Sequence, residues 1–594
     1  MAERHAKQDL EHDYDVVIVG AGFGGIGAAV ALKRLGFENF VLLDRQDDLG
    51  GTWHVNHYPG LACDVPTTTY SYFFEPNPNW SRLFSTGAEI KQYADDVADK
   101  YDVRRHIRLR TVVEGARWDD EDRLWLVSLA DGRTLRTRYL ITATGFLSQP
   151  HTPDIPGIHD FEGKVIHTTA WDDGYDPSGD RIGLIGTGAT AVQLIPELAK
   201  AAGDLTVYQR TAIYVVPKLD FRYPEFAKRL FARVPLAQRA VRAVTDGIYE
   251  FFNYVVLHHR QTLFRRLNIG AADVSKLYRY LTVRDPELRA KLTPDYDFGC
   301  KRPTFSNSYY RTFTKANVHL QSSGIDHIEP HAIVAGDGTR SEIDTLVLAT
   351  GFDLWEANIP AIEIIGRGGR NLGKWWRENR FQAYQGVSIP QFPNYLSLAS
   401  PYAFIGLNFF NTMEYQMRIM DRLLSEVTRR GARTFEVTEE ANARFLEQMT
   451  EQVGDTVFAL GHCDTARSYY FNPHGEATLL RPMTAKAAIA AASDFPMSDY
   501  SFNEFERTIM AARIGGVGLA LAAAGVAHFV KPQAFEAITA SAFPDNTRRH
   551  TYINGGIETA LGVGLITPKT RRLAAAGAAA YVGYLVLNAV RARR

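Results

Sequence analysis

Two segments of the chain share one hydrophobic pattern. Val16 to Val19 is an unbroken apolar run, followed by Gly20, Gly22 and Gly25, a stretch rich in small residues, and a second apolar run, "NFVLLD", closing on Asp44. "DRIGLIGTGATAVQLIPELAK" repeats the plan with Gly186, Gly188 and Ala191, and its second run, "LTVYQR", closes on Gln209 and Arg210. Runs without polar alternation predict strands covered on both faces, as in a parallel sheet with helical crossovers. Two more runs, in "YLITATGFLSQP" and "TLVLATGFD", end in Ala-Thr-Gly at Ala143–Gly145 and Ala349–Gly351. Each reads as a buried strand entering a glycine turn against a dinucleotide.

This order predicts an α/β protein with two Rossmann-like dinucleotide-binding domains, the first interrupted by the second. The expected parts are residues 1–147, then 148–345, then a return to the first domain over 346–500. Between about 223 and 292 the apolar period becomes helical, which predicts a helical insertion packed as a subdomain. Beyond about residue 505 the chain turns Ala/Gly/Leu/Val-rich, and residues 505–594 are expected to be a C-terminal all-α hydrophobic, transmembrane segment. Its runs Ile514–Val530, Tyr552–Ile566 and Leu573–Val590 predict three crossings, since about 17–25 residues span a bilayer. The middle run is the marginal one. Its Glu558 would be costly in lipid and should face a partner helix or a polar pocket.

The two turns carry different readouts. Gly20 permits the tight turn, Gly22 the approach of a pyrophosphate and Gly25 close helix–strand packing; the helix N-terminus attracts phosphate. Asp44 and Arg210 both stand 24 residues after the first glycine of their unit. A carboxylate there accepts from a free ribose 2′-hydroxyl, and a guanidinium matches a 2′-phosphate. The first unit therefore predicts FAD and the second NADPH, with Gly186, Thr187, Gly188, Ala191 and Gln193 at the second pyrophosphate.

Composition narrows the classes. A net charge of −1 over 594 residues gives no electrostatic case for nucleic acid. Cys63, Cys300 and Cys463 are far apart and show no metal or disulfide spacing, so no metal site is read and a reducing compartment fits. The polar N-terminus predicts no secretory signal.

Three further motifs complete the sequence-level picture. Phe161-x-Gly163-x-x-x-His167-x-x-x-Trp171-Asp172 precedes the second turn. Gly51-x-Trp53, Tyr58-Pro59-Gly60 and Asp64 follow the first. "FGCKRPTFSNSYY" carries Lys301 and Arg302. On these residues, residues 14 to 490 resemble the Baeyer–Villiger monooxygenases. Trp171 separates this resemblance from the flavin monooxygenases that oxidise nitrogen and sulfur, which usually carry Tyr or Phe there.

The resemblance implies that FAD reduced by NADPH reacts with O2, and that the resulting C4a-peroxyflavin converts a ketone into an ester or lactone. It implies Arg302 as the catalytic cation with Asp64 orienting it, and His167 and Trp171 at an interdomain joint that couples the steps. Thr52, Trp53, Tyr70 and Val113 join Gly20, Gly22, Gly25, Asp44 and Asp64 as FAD contacts. Lys301, Gln209 and Arg210 hold the NADP phosphate, and Tyr469 stands where the family has a Trp near the nicotinamide. Phe404, Phe409 and Phe410 are candidates for the substrate wall, with core packing as the alternative. Two other readings are an N- or S-oxygenating flavin monooxygenase and a membrane-tethered NADPH–flavin electron-transfer module; Trp171, Asp64 and Arg302 count against them.

The C-terminal segment resembles the DoxX-like membrane proteins, with three spans where those have four. The implied partners are a lipophilic ketone, O2 and a lipid bilayer, with a homo-oligomer left open. The implied location is at a membrane with the catalytic part facing the cytoplasm, which puts Lys569, Arg571 and Arg572 inside after two crossings and Arg591, Arg593 and Arg594 outside after a third.

Overall fold

The computed structural model describes residues 13–406, 408–503, 505–567 and 570–592. The N-terminal residues 1–12, Lys569, Arg593 and Arg594, on which the leader and orientation expectations rest, lie outside the described residues, as does the side chain of Arg572. The chain forms two compact units. One runs to Thr428 and adds Thr434–Ser501; the other comprises Arg429–Arg433 and the residues from Phe502 onward.

The first unit is built on two sheets. β1 (Tyr14–Val19), β2 (Phe40–Leu43), β3 (Ile107–Arg108), β4 (Val113–Asp119), β5 (Leu124–Leu129) and β6 (Thr134–Thr142) belong to an eight-stranded sheet. β7 (Lys164–His167), β8 (Arg181–Ile185), β9 (Asp204–Tyr208), β10 (Val318–Gln321) and β11 (Thr345–Leu348) form the second. β12 (Glu363–Ile365) and β13 (Tyr395–Ser397) return to the first, whose order is β12-β4-β5-β6-β1-β2-β3 with β13 also on β6. β1 lies parallel between β2 and β6, with Val17 opposite Val41 and Leu140. The second sheet is wholly parallel, β10-β9-β8-β11-β7. Its central residues Leu184, Val207 and Val347 have no exposed surface, and burying each such side chain stabilises by roughly 1.5–3 kcal/mol.

The chain leaves the first sheet after β6 and returns after β11, and the two crossings touch. Pro150 and Phe352 form an antiparallel bridge, the His151 amide donates to the Gly351 carbonyl at 3.0 Å, and the Asp353 amide donates to the Gln149 carbonyl at 2.9 Å. The stretch Phe161–Asp173 is therefore not the joint itself. Residues 164–167 are strand β7, with His167 opposite Leu348 at the edge of the second sheet.

The insertion is helical as its periodicity predicts, over Glu225–Arg233, Pro235–Leu257, Thr262–Thr282 and Pro286–Lys291. It packs as expected through Phe231 and Val255–Leu257, but over most of its two long helices the polarity is the reverse of a water-soluble helix pair. Gln238, Arg242, Asn268, Ser275 and Arg279 are buried, while Leu236, Val244, Leu263 and Leu281 are exposed.

The second unit holds the helices Phe505–Val530, Gln533–Ala540, Thr547–Ile566 and Arg571–Ala592. Two of them pack backbone to backbone. A Cβ on Gly525 would lie 2.5 Å from the Thr559 amide, and one on Gly562 would lie 2.4 Å from the Ala522 amide. Glu558 sits near His528 (3.5 Å) and accepts from the Tyr581 hydroxyl (3.5 Å). Among the described residues one helix, Leu573–Ala592, is long and apolar enough to cross a membrane, and Gly516–Val530 is shorter. The middle run does not qualify, its helix beginning with the polar Thr547–His550, and the start of the first run, Ile514 and Gly515, lies outside the residues whose side chains are described.

Cys300 and Cys463 are joined in a disulfide with Cα atoms 5.2 Å apart, and Cys63 is free and buried. This corrects the expectation of unpaired cysteines: a separation of 163 residues gives no local spacing to read. The bond ties the segment bearing Lys301 and Arg302 to the one bearing Tyr469. Closing so long a loop should stabilise the oxidised protein by about 2–4 kcal/mol. Cys300→Ser should therefore shift the urea unfolding midpoint downward, and reductant should shift the unaltered protein to match. Coincident wild-type curves with and without reductant would show that the thiols are not bonded in solution.

Candidate active site

Both coenzyme turns are closed by the same contact. Gly20 has φ of +109°, and a Cβ there would stand 2.5 Å from the Ala143 carbonyl oxygen. Gly186 has φ of +117°, and its Cβ would stand 2.3 Å from the Ala349 carbonyl oxygen. Each Ala-Thr-Gly thus forms the floor of one turn. Gly188 faces open space, leaving the start of the helix Ala189–Leu198 free to receive a phosphate. Ala191 is fully buried beneath it.

Asp44, at the end of β2, accepts from the Ala21 amide at 2.7 Å and the Gln46 amide at 2.9 Å. It is locked to the turn with lone pairs to spare for ribose hydroxyls. The Thr111 amide donates to the Asp44 carbonyl, which brings Val113, the first residue of β4, to the same end of the sheet.

Arg210 ends β9 beside two other cations. Partial burial and the charge of Arg467 push the Arg210 pKa down. Burial and the charge of Arg210 push Lys301 down to about 8. Among the described residues none of the three makes an ion pair. A cluster of unpaired cations fits a phosphate group, so the residues present suit NADP as the Asp44 turn suits FAD. Arg467, with φ of +46°, escaped sequence reasoning although it lies two residues before Tyr469.

Arg302 donates to Asp64 through Nε (3.0 Å) and Nη2 (2.9 Å), both to the same oxygen. Burial works against the cation, but the neighbouring carboxylate overcomes it and raises the Arg302 pKa, so the guanidinium stays charged. Tyr469 and Tyr470 feel this pair: burial raises both phenols, with the Arg302 and Asp64 charges superimposed. Tyr249, from the insertion, also lies within reach of the Asp64 and Arg302 charges and was not singled out by its sequence.

Trp53 Nε1 donates to the Tyr70 hydroxyl at 3.1 Å, and the helix Thr52–Val55 that carries Trp53 starts at the tight Gly51. Phe410 is 1% exposed and packs against Tyr70 and Phe23, ring centroids 4.8 and 4.9 Å away; it is a core residue behind the site. Phe404 and Phe409 instead cluster with Phe146, which directly follows the first Ala-Thr-Gly.

Three expected NADP contacts also make bonds within the protein. Gln193 accepts from the Tyr58 hydroxyl at 3.0 Å and donates to the Ala62 carbonyl at 2.9 Å, bolting the Tyr58-Pro59-Gly60 loop to the second coenzyme helix. A cleft of about 800 Å³ follows this seam, lined by Trp53, Gln193, Lys218 and Asn307 among others. Gln209 is 4% exposed and donates to the Lys291 carbonyl at 2.7 Å. Thr187 is likewise turned inward, its hydroxyl donating to the Thr211 carbonyl at 2.8 Å. His167 lies beside the His151 backbone at the paired crossings, and burial lowers its pKa; its Nδ1 meets the Thr169 hydroxyl at 2.8 Å, while among the described residues Nε2 has no hydrogen-bond partner. Trp171 is 7% exposed in the core of the second sheet, and Asp172 pairs with Lys164 and caps the Gly174 amide.

Comparison with known proteins places this geometry. Residues 17–223 match the family described as pyridine nucleotide-disulphide oxidoreductase. Residues 517–594 match a domain of unknown function (DUF8561). The chain is 36% identical to a Baeyer–Villiger monooxygenase of Streptomyces coelicolor over 487 residues, covering 81% of this chain and 91% of that one. The closed crystal structure of cyclohexanone monooxygenase superposes with a TM-score of 0.74 at 28% identity, covering 83% of this chain and 99% of that one. OTEMO in complex with FAD and NADP gives a TM-score of 0.72 at 27% identity, covering 83% and 100%.

The cation cluster has a pH signature. Lys301 is charged below about pH 8 and neutral above it, and a 2′-phosphate favours the charged form. NADPH affinity should therefore be highest below pH 8 and fall above it, by up to about tenfold per pH unit. Titration of coenzyme binding across that range checks this. Lys301→Met should flatten the profile, and NADH, which lacks the phosphate, should show no such fall.

Proposed function

From the premise that the chain belongs to the Baeyer–Villiger monooxygenases, we propose how its residues serve that reaction and where the reaction takes place. The enzyme is an FAD-containing, NADPH-dependent monooxygenase that uses O2 to place an oxygen atom beside a ketone carbonyl, giving an ester or lactone. When bound, FAD reduced by NADPH supplies the oxygen activation. The observation that carries the assignment of residues is the Asp64–Arg302 pair, which draws the two coenzyme-binding regions together.

Arg302 is the permanent positive charge for the negative charge that develops on the ketone oxygen. A guanidinium suits this role because it cannot lose its proton in the act. Asp64 fixes its orientation, and sharing one carboxylate oxygen leaves the Nη1 side of the fork free for the substrate. Trp53, Tyr70 and Val113 line the flavin side, with Asp44 on the ribose. Arg210, Lys301 and Arg467 hold the NADP phosphate. Phe146, Phe404 and Phe409 form an apolar wall for the ketone. His167 acts through the crossings: its contact with the His151 backbone ties the edge of the second sheet to the hinge, while Trp171 holds that edge in the core.

The substrate we assign is a lipophilic ketone, because the second unit has the character of a membrane segment. Its outward residues Leu573, Val582 and Leu587 are apolar and exposed, while His528 and Asn554 are buried. Close glycine-to-backbone packing is the usual way for helices to associate where water supplies no drive. With the coenzymes in the cytoplasm, the catalytic part lies on that side.

A panel of cyclic, linear, aromatic and steroidal ketones, scored by NADPH consumption and by ester formed, tests the function. The most apolar ketones should give the highest kcat/KM. Arg302→Ala should lower ester formation by about 10²–10³-fold while NADPH still binds; ester formation undiminished in that variant would remove Arg302 from the role. Fractionation tests the anchor: the full chain should stay with membranes through a high-salt wash and need detergent for release.

A further inference from the structure

The insertion is inverted. In the helix Pro235–Leu257 the buried positions are polar at Gln238, Arg242 and Asn253, and turn apolar only in the last turn, at Val255–Leu257. Gln238 donates to the Asn77 carbonyl at 2.6 Å, and Arg242 donates to the Thr69 and Tyr72 carbonyls at 3.2 and 3.3 Å while lying over the Phe73 ring. In Thr262–Thr282, Asn268 donates to the Phe298 carbonyl at 2.8 Å and Ser275 to the Val215 carbonyl at 2.8 Å. The outer faces are apolar. Leu236, Val244, Ile248 and Phe251 recur at helical spacing and are 58–74% exposed; Leu263, Val274, Leu277 and Leu281 do the same on the second helix at 52–71%. A water-soluble helix pair hides such stripes and shows its polar face. Contiguous exposed apolar patches of this kind mark an interaction site.

The charge around the stripes says what covers them. Residues 225–282 contain ten Lys and Arg against four Asp and Glu, a net +6 in a chain whose total is −1. Arg242 and Arg279 turn inward. Arg229, Arg233, Arg239, Arg265, Arg266 and Lys276 are exposed, and among the described residues none of these six has an acidic partner. A second copy would bring the same six cations against themselves. An anionic lipid surface meets both features at once, taking apolar side chains below its headgroups and long cationic ones among them.

We propose that the helices Pro235–Leu257 and Thr262–Thr282 dock the catalytic unit onto an anionic bilayer surface, as an interfacial contact that does not span it. The contact lies wholly within the first unit and goes beyond the C-terminal anchor without needing it. The helix Pro235–Leu257 shows Ile248 and Phe251 outward and carries Tyr249 within reach of the Asp64 and Arg302 charges. Lipid on the outer stripe is then one helix away from the Asp64–Arg302 pair.

The test uses the full chain carrying an environment-sensitive fluorophore on Leu277→Cys or, separately, on Leu587→Cys in the C-terminal helix. Each is mixed with vesicles of phosphatidylcholine, with or without phosphatidylglycerol, containing lipids spin-labelled near the headgroup. The Leu277 probe should be quenched in phosphatidylglycerol vesicles and much less in phosphatidylcholine alone. Replacing Arg265 and Arg266 by Gln should weaken that partition by roughly fivefold for each cation removed. Both residues are exposed, so folding is not at stake. Quenching at Leu587 without quenching at Leu277 overturns the docking and leaves the anchor standing. Quenching at Leu277 alone supports the docking and overturns the anchor, and quenching at neither overturns both. A Leu277 probe shielded without vesicles, together with a dimer mass by light scattering, would assign the stripes to a second copy and overturn the proposal.

Discussion

Everything in the catalytic unit hangs on two places where a side chain cannot fit. Gly20 presses on the Ala143 carbonyl and Gly186 on the Ala349 carbonyl, each in a conformation that favours glycine. The contact does two things at once. It closes a phosphate-binding turn, and it fixes the strand end from which the chain crosses between the sheets. Because both crossings start at these floors and pair with each other, the two coenzyme-binding turns are held in one frame.

Within that frame the chemistry is set by where charge is left unpaired and where it is not. Asp44 is tied to backbone amides and remains a precise acceptor. Among the described residues Arg210, Lys301 and Arg467 make no ion pair, so a polyanionic coenzyme held there would relieve their mutual repulsion. Arg302 alone is given a carboxylate, at 2.9 Å. That pairing keeps a partly buried cation charged, as the role proposed for it requires, because a neutral group there could not answer a developing oxyanion. The disulfide at Cys300, the buried Tyr470 and the partly buried Tyr469 fix the two chain segments that meet at this point.

Sequence periodicity reveals what is local. The glycine turns, their terminal Asp44 and Arg210, and the Ala-Thr-Gly floors are each written within about 25 residues, the reach of one β-α-β unit. Contacts made across long separations were not legible. Nothing near Cys300 points to Cys463, and nothing near Gln193 says that its amide also holds Tyr58. Phe410 and Phe409 are neighbours in sequence yet one is core and the other faces Phe146, because adjacent helix positions point about 100° apart. His167 looked like linker because its strand is only four residues long; its pairing with β11, over 170 residues later, makes it sheet.

The insertion shows the deeper limit. A helical period locates an apolar stripe but not the direction it faces. The usual inference that the stripe faces the core assumes water on the other side. Here the inner side already had polar work, holding the loop from Thr69 to Asn77 by its carbonyls, and Arg242 and Gln238 took it. The apolar positions were left outward. The C-terminal unit obeys the same inversion, with His528 and Asn554 inside and Leu573 and Leu587 outside. Two separate parts of one chain invert in the same sense, and the lipid surface proposed above would give both a single cause.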